Sequence, residues 1–175
     1  ANDLIKFLEE RFRIYLLEKD FDHDLLESCL KFGNFSNPYL VYLKIESLKE
    51  FKKSNDFKKL MNSYKRPINI LNSEEKKNDF VLSDDPLKEL FENKYEKVLF
   101  ERLIEVEIEV SELIKKKNFS LALTSLSNFD DEIENFFENV VINVDNTNTK
   151  INRLKLCNKI RKLMHSVAYF GQLNF

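Results

Sequence analysis

Only two glycines, Gly33 and Gly171, and three prolines, Pro38, Pro67 and Pro86, interrupt 175 residues. Strand-rich folds turn back on themselves roughly every 8–12 residues and need Gly, Pro or Asn-Gly signals to do so. This chain does not supply them, so it is expected to be all-α, built from long helices. Its apolar fraction of 43% is ordinary for a globular protein and excludes disorder throughout. Sixteen Phe and no Trp predict a bulky aromatic core.

Periodicity places the helices. Residues 3–18 put Ile5, Leu8, Phe12 and Tyr15 on one helical stripe. Asp22 reads as the cap of a short helix carrying Leu25, Leu26, Cys29 and Leu30. Asn37-Pro38 reads as a cap with proline at the first helical position, followed by Val41, Ile45 and Leu48. Asn55 is expected to cap the next helix, with Phe57, Leu60, Met61 and Tyr64 inside. Pro67 lacks an amide donor and disfavours helical geometry at Arg66, which predicts a kink or break. Residues 72–85, NSEEKKNDFVLSDD, read as a loop. The expected architecture is a helical bundle of two packed subdomains: residues 1–72, a linker at 73–85, and residues 86–175.

Asp85-Pro86 reads as a second cap-plus-proline start, ahead of a long helix at about 94–117. Within it IEVEIEV alternates like a strand, but Tyr95, Leu99, Leu103, Val106, Val110 and Leu113 recur at spacings of three and four, which favours helix. Short helices follow at 119–127 and 130–139, the second capped by Asn128 with Asp131 in a capping-box-like position. VVINVDNTN is a loop, and Thr147 or Asn148 caps a last helix to about 170.

Lys and Arg number 28 against 30 Asp and Glu, so no general nucleic-acid coat exists and local distribution must decide. The last helix is the markedly basic element, with Lys150, Arg153, Lys155, Lys159, Arg161 and Lys162. Lys155, Lys159 and Lys162 share a face, while Leu156, Ile160, Leu163, Met164 and Val167 form its core side. Two readings are open. The acidic helix before it, with Asp130, Asp131, Glu132, Glu134 and Glu138, neutralises it across an antiparallel contact. Alternatively, the basic face holds phosphates. Lys65 and Arg66, with Asn69 nearby, form a second basic cluster.

Catalytic and metal constellations are not found. Cys29 and Cys157 are far apart, fitting two reduced cytosolic thiols or one disulfide, and no CxxC pair supports zinc. Glu101, Glu105, Glu109 and Glu112 line one helix side without the Glu-x-x-His partner that a metal bundle uses, and read as a solvated face. His23, between Asp22 and Asp24, reads as a helix-start residue. Two glycines cannot make a phosphate-cradling glycine-rich loop. No apolar run reaches membrane-spanning length and no signal peptide opens the chain. The chain begins at Ala1 already in helical pattern, as a piece of a longer protein would.

Three stretches go beyond these physical readings. FLEERFRIYLLEKDFDHDLLESCL at 7–30 resembles the start of the C-terminal region in bacterial glycyl-tRNA synthetase beta subunits, with Arg11, Leu16, Asp24 and Leu25 matching and Asp20 where that pattern often has Gly. YKRPINIL at 64–71 is similar to the family's K-R-x-x-N-I-L, through Lys65, Arg66, Asn69, Ile70 and Leu71, with Pro67 replacing the more usual aliphatic residue. FFENVVINVDNTNTKINRLKL at 136–156 is similar to F-F-D-x-V-M-V-x followed by N-R-L-x-L, through Phe136, Phe137, Val140, Asn152, Arg153, Leu154 and Leu156. Glu138 replaces the usual Asp there, and Val141 and Ile142 stand where Met and Val are usual. The resemblance is collinear and nearly end to end. The second half also resembles the DALR anticodon-binding domain shared with arginyl-tRNA synthetase.

The resemblance implies a function. The family ligates glycine to its tRNA with ATP and magnesium in a heterotetramer of two alpha and two beta subunits, in the cytoplasm. Adenylate chemistry belongs to the alpha subunit, so this chain is expected to hold no catalytic residue, metal or cofactor, and to bind neither membrane nor DNA. Its expected partners are the tRNA for glycine, the alpha subunit and the remainder of the beta subunit. Phosphates and bases of the anticodon arm would meet Lys65, Arg66 and Asn69 as one group, and Arg153, Lys155, Lys159 and Lys162 as another. Asn143 and Asn152 are candidates for base edges. Asn152 and Arg153 can equally cap or brace helices. A helical scaffold that docks on other subunits without touching RNA is the competing reading.

Overall fold

The computed structural model describes residues 2–31, 35, 37–77, 82 and 84–174. Within them lie eight α-helices and no strand: α1 (Asn2–Glu18), α2 (His23–Leu30), α3 (Pro38–Phe51), α4 (Asn55–Lys77), α5 (Lys94–Lys115), α6 (Phe119–Ser127), α7 (Asp130–Asn139) and α8 (Thr147–His165). Two 3-10 turns, Lys88–Leu90 and Phe170–Gln172, precede α5 and follow α8. The all-α bundle expected from the scarcity of turn residues is therefore present. Gly33 and residues 78–81 and 83 of the expected polar loop lie outside the described residues.

Helix α4 is the centre of the bundle. It packs on α8, α6 and α7, while α5 packs on α6, α7 and α8. Helix α2 lies against α3 and the C-terminal 3-10 turn, and α3 against α6. One continuous cluster of buried side chains runs from Leu16 to Leu173.

The kink expected at Pro67 is a correction: α4 is helical from Asn55 through Lys77, so residues 72–77 of the expected loop are helix as well. Phe57, Leu60, Met61, Tyr64, Pro67 and Leu71 are all buried on one stripe, so the pyrrolidine ring itself fills a core position. Packing on both sides thus overrides the propensity penalty of about 3 kcal/mol for an interior proline. The carbonyl of Ser63, four residues earlier, has no amide from Pro67 to accept.

Several caps fall one or two residues from where the sequence puts them. Ser54 Oγ, not Asn55, accepts from the Phe57 amide. Asp22 stands at the N-cap of α2 without a side-chain cap bond. No α-helix starts at Pro86; α5 starts at Lys94 under a capping box in which Asn93 and Glu96 satisfy each other's backbone. Asn128 ends α6 rather than starting α7. Asn146, not Thr147 or Asn148, caps α8 and accepts from the amides of Asn148 and Thr149. Asn37 caps α3 as expected, accepting from Leu40. Side-chain oxygen is the common currency of N-caps, and neighbouring Ser, Thr and Asn compete for the position on equal chemical terms.

Helix α1 departs most from its expected stripe. Phe12 packs partly against the core and Leu16 is buried. Ile5, Leu8 and Tyr15 are exposed, in company with Leu4, Phe7, Ile14 and Leu17. After α1 the chain reverses at Asp20, whose φ of 64° is left-handed. That geometry explains why the resembling pattern carries Gly there: only glycine enters it without strain, and Asp is among the few tolerated substitutes.

Cys29 and Cys157 are both free and buried, in different helices. Burial pushes each thiol up to about 12.

Candidate nucleic-acid interface

Helix α8 supplied most of the candidate contacts, and its charges turn largely inward. Arg153 lies one and a half turns into the helix and is 6% exposed. Its Nε donates to Glu96 Oε1 at 2.9 Å, one terminal nitrogen to the Val141 carbonyl at 2.9 Å, and the other to Glu92 Oε2 at 3.0 Å. Glu96 is fully buried, and its other oxygen accepts from the amides of Asn93 and Glu92 at 2.7 and 2.9 Å. One guanidinium thus ties α8 to the α5 cap and to the loop after α7. A lysine could not reach three acceptors arranged as a planar fork. Asn152 is also buried and clamps a strand-like piece of backbone: its Oδ1 accepts from the Leu87 amide at 2.7 Å, and its Nδ2 donates to the Leu87 carbonyl at 2.9 Å. For both residues the geometry is that of a brace.

Four further α8 cations have acidic partners. Lys159 Nζ is 2.9 Å from Glu107 and 3.3 Å from Asp85. Burial alone would lower its pKa, but the bonds to Glu107 and Asp85 prevail and raise it. Lys155 is 3.9 Å from Asp84. Lys150 Nζ lies 2.7 Å from Glu74 Oε2, and Arg161 grips Glu75 through two bonds of 2.7 and 3.1 Å. The bond from Lys150 holds the Glu74 carboxyl below the usual range, against the opposing effect of burial and with further help from Lys77. The neutralising acids come from α4, α5 and the 84–92 segment, which corrects the expectation that α7 supplies them. In α7, Glu132 faces Arg102 of α5 instead. Lys162 is exposed.

The second group divides. Arg66 donates to the Phe137 carbonyl at 3.0 Å and lies 4.7 Å over the Phe137 ring, joining α4 to α7. The YKRPINIL and FFENVV stretches therefore meet in space. Lys65 and Asn69 point elsewhere, onto a cleft of 250 Å³ between α4 and the C-terminal tail, which Asn72 and Tyr169 also line. Asn143 is exposed on the loop after α7, away from secondary structure. Sequence reasoning missed Asn72 and Tyr169. Asn72 was findable, at i+7 from Lys65 and i+3 from Asn69 on one face. Tyr169 lies too far along the chain for any local pattern to show.

The tail wall of this cleft is firmly held. The Tyr169 amide donates to the Ser28 carbonyl at 2.8 Å, and Lys31 Nζ lies 3.8 Å over the Tyr169 ring. Tyr64 hydroxyl and His165 Nε2 are 2.9 Å apart. Burial, then Arg161 and Lys31, lower the His165 pKa to about 4, so its ring is neutral at pH 7. Asp24 anchors the end of the tail by accepting from the Asn174 amide at 2.8 Å, and pairs with Lys52 at 2.7 Å. Burial opposes its charge, yet these two contacts hold its carboxyl below the usual range. A larger groove of 640 Å³ between α1 and α3 is lined by Glu46 and Glu50 and also by Lys19 and Lys49, so its charge is balanced rather than basic.

Among the described residues no three His, Cys, Asp or Glu side chains gather as a metal site, and no helix is long and apolar enough to cross a membrane. Glu101, Glu105, Glu109 and Glu112 are all exposed.

Comparison with known proteins supplies the family. The chain is 30% identical over 173 residues to the glycine–tRNA ligase beta subunit of Ruegeria sp. strain TM1040, covering 99% of this chain and 25% of that protein. It is 29% identical over 166 residues to the same subunit of Cereibacter sphaeroides strain ATCC 17023, covering 95% and 24%, and 28% identical over 174 residues to that of Persephonella marina, covering 98% and 23%. The chain thus spans about a quarter of the length of these relatives. The model of the DALR anticodon binding domain matches residues 60–170, from the second turn of α4 to the first residue of the C-terminal 3-10 turn. The chain belongs to the DALR anticodon-binding domain family.

Proposed function

We propose that this chain is the tRNA-binding module of a glycine–tRNA ligase beta subunit and meets the anticodon arm of the tRNA for glycine. The family match over residues 60–170, joined to likeness with such subunits along nearly the whole chain, carries this reading. In it the module sits at the C-terminal end of the subunit, and residues 60–170 form its DALR part. ATP and magnesium serve the complete cytoplasmic enzyme at the alpha subunit. This chain contributes recognition.

The face that would meet RNA is the outer side of α4, where Lys65 and Asn69 are exposed, with Lys162 of α8 and Asn143 as further exposed candidates. Lys159 and Arg153 hold the fold together beneath it and Lys155 lies part-buried beside Asp84. The test is binding of glycine tRNA at low salt, against the same tRNA with changed anticodon bases, for the native chain and Lys65→Ala. Preference for the native anticodon that weakens in the variant supports the reading. Equal affinity for both RNAs refutes anticodon recognition by this chain.

A second reading rests on α1, whose Leu4, Phe7, Leu8 and Tyr15 are each about half or more exposed. The relatives carry three quarters of their length outside the matched region, and in a full-length subunit that additional polypeptide would cover this face. Leu8→Lys with Tyr15→Lys should then lower the melting temperature of a full-length subunit and leave that of the isolated chain unchanged. Equal effects in both would exclude docking through α1.

A further inference from the structure

We infer that the cleft between α4 and the C-terminal tail holds one unstacked base of single-stranded RNA, with Asn69 and Asn72 reading its edge and Lys65 on the neighbouring phosphate. The inference rests on the tRNA-binding function proposed above and specifies where a base goes.

Size is the first argument. At 250 Å³ the cleft is smaller than the roughly 300–1,000 Å³ that encloses a drug-sized ligand, which leaves room for a single ring system. Its lining is the second. Met61 and Ile68 of α4 give apolar walls, and Tyr169 an aromatic one, the surroundings in which proteins place splayed-out bases. No carboxylate lines it among the described residues, unlike the larger groove beside α1.

The polar groups are suitably placed. Asn69 and Asn72 lie three residues apart on one face, and Lys65 one turn earlier on the same stripe. Among the described residues neither amide takes part in a side-chain hydrogen bond, although both border an apolar floor. A carboxamide offers a donor and an acceptor together, matching the paired groups on a base edge. Arg66, adjacent in sequence, is turned away to Phe137, so Lys65 is the cation in the lining of the cleft. One ammonium suits one phosphate rather than a duplex backbone.

The walls are rigid before any ligand arrives, which limits the ordering cost of binding. Tyr169 is fixed by Ser28 and Lys31, and Phe170 is fully buried. Gly171 completes the fit. A Cβ there would lie 3.1 Å from the Tyr169 ring and 3.3 Å from the Tyr64 hydroxyl, so a side chain at this position would make the tyrosine tips give way by a few tenths of an ångström. A β-branched residue would push the tail away from α4 or tilt Tyr169 into the cleft.

The test uses the anticodon stem-loop of glycine tRNA with the fluorescent base 2-aminopurine at one loop position at a time. It is titrated into the native chain, Asn69→Ala/Asn72→Ala and Gly171→Val, with melting curves to establish that each variant is folded. The native chain is expected to change the fluorescence strongly at one loop position. The double variant should bind about tenfold or more weakly and lose that signal, since two net hydrogen bonds of about 1 kcal/mol each are removed. Gly171→Val should lose the signal with the amides intact. Native affinity and an unchanged signal in the double variant would overturn the cleft while leaving RNA binding standing. A native chain that fails to bind the stem-loop at low salt would overturn both.

Discussion

Replacing Arg153 by Ala should be among the most destabilising single changes in this chain. Arg153 is 6% exposed and gives hydrogen bonds to Glu96, Glu92 and the Val141 carbonyl. Its loss leaves the fully buried Glu96 carboxylate facing no cation. Breaking a buried ion pair from one side costs about 3–5 kcal/mol. The orphaned Val141 carbonyl lies at a loop that can admit water, so little is added for it. Against a total stability of about 5–15 kcal/mol this is a large loss. At about 2–4 °C per kcal/mol for a chain of this size, the melting temperature should fall by about 6–20 °C. Urea unfolding followed by circular dichroism measures it. Arg153→Lys should recover less than half the loss, because the three N–H groups of one compact ammonium cannot span acceptors set around a planar guanidinium. Removing both charges while keeping the acceptor for the Glu92 and Asn93 amides, as Arg153→Met/Glu96→Gln, should be less harmful than Arg153→Ala alone. A loss below about 1 kcal/mol for Arg153→Ala, or a double variant as poor as the sum of its singles, would refute the bracing role and return Arg153 to the RNA-contact candidates.

Other expectations follow from single features. Pro67→Ala should stabilise the chain by only about 1 kcal/mol, because relief of the roughly 3 kcal/mol cost of an interior proline is offset by about 0.8 kcal/mol for each of the two ring methylenes lost from its buried site; thermal melts would show it. Asp20→Gly should stabilise by up to about 1 kcal/mol by relieving the left-handed residue at φ 64°, read as a shifted urea midpoint. Leu103→Ala, at a fully buried site, should cost about 2–5 kcal/mol. His165 titrates near 4 in the folded chain against about 6.5 unfolded, so the unfolded state binds more protons between those values. Stability is complete above about pH 6.5 and falls as pH drops towards 4. His165→Gln should flatten that slope in pH-dependent urea unfolding, by about 1–2 kcal/mol once solvent screening of the half-exposed ring is allowed for.

What the sequence made legible follows from the range of the forces involved. Helices α3 to α8 could be read because a 3.6-residue stripe is a local signal, and Val41, Ile45, Leu99, Leu103 and Ile160 are indeed buried. The continuity of α4 through Pro67 was hidden, since it depends on α8, α6 and α7 packing around it. The basic face of α8 was seen, but the acids that hold Arg153, Arg161 and, through Asp85, Lys159 lie 57 to 86 residues away. No local pattern announces such pairs, and without them a structural cation looks like a phosphate contact. The resemblance, by contrast, marked residues without saying why. Asp24 anchors the tail, Arg66 joins two helices and Asn152 clamps Leu87, whereas Lys65 and Asn69 of the same motif are left outside.

The two buried thiols make the chain its own clock. Thiol reagents attack the thiolate, and burial has pushed both groups to about 12, so native molecules should be almost inert. Modification then proceeds only as fast as each site opens. Cys29 belongs to α2 in the first half and Cys157 to α8 in the second. Mass spectrometry of partly labelled protein therefore times two openings in one sample, without any introduced probe. If a single cooperative unit runs through α4, molecules will carry either no label or two. If the halves open separately, singly labelled species will accumulate, and the half that carries the label is the one that opened first.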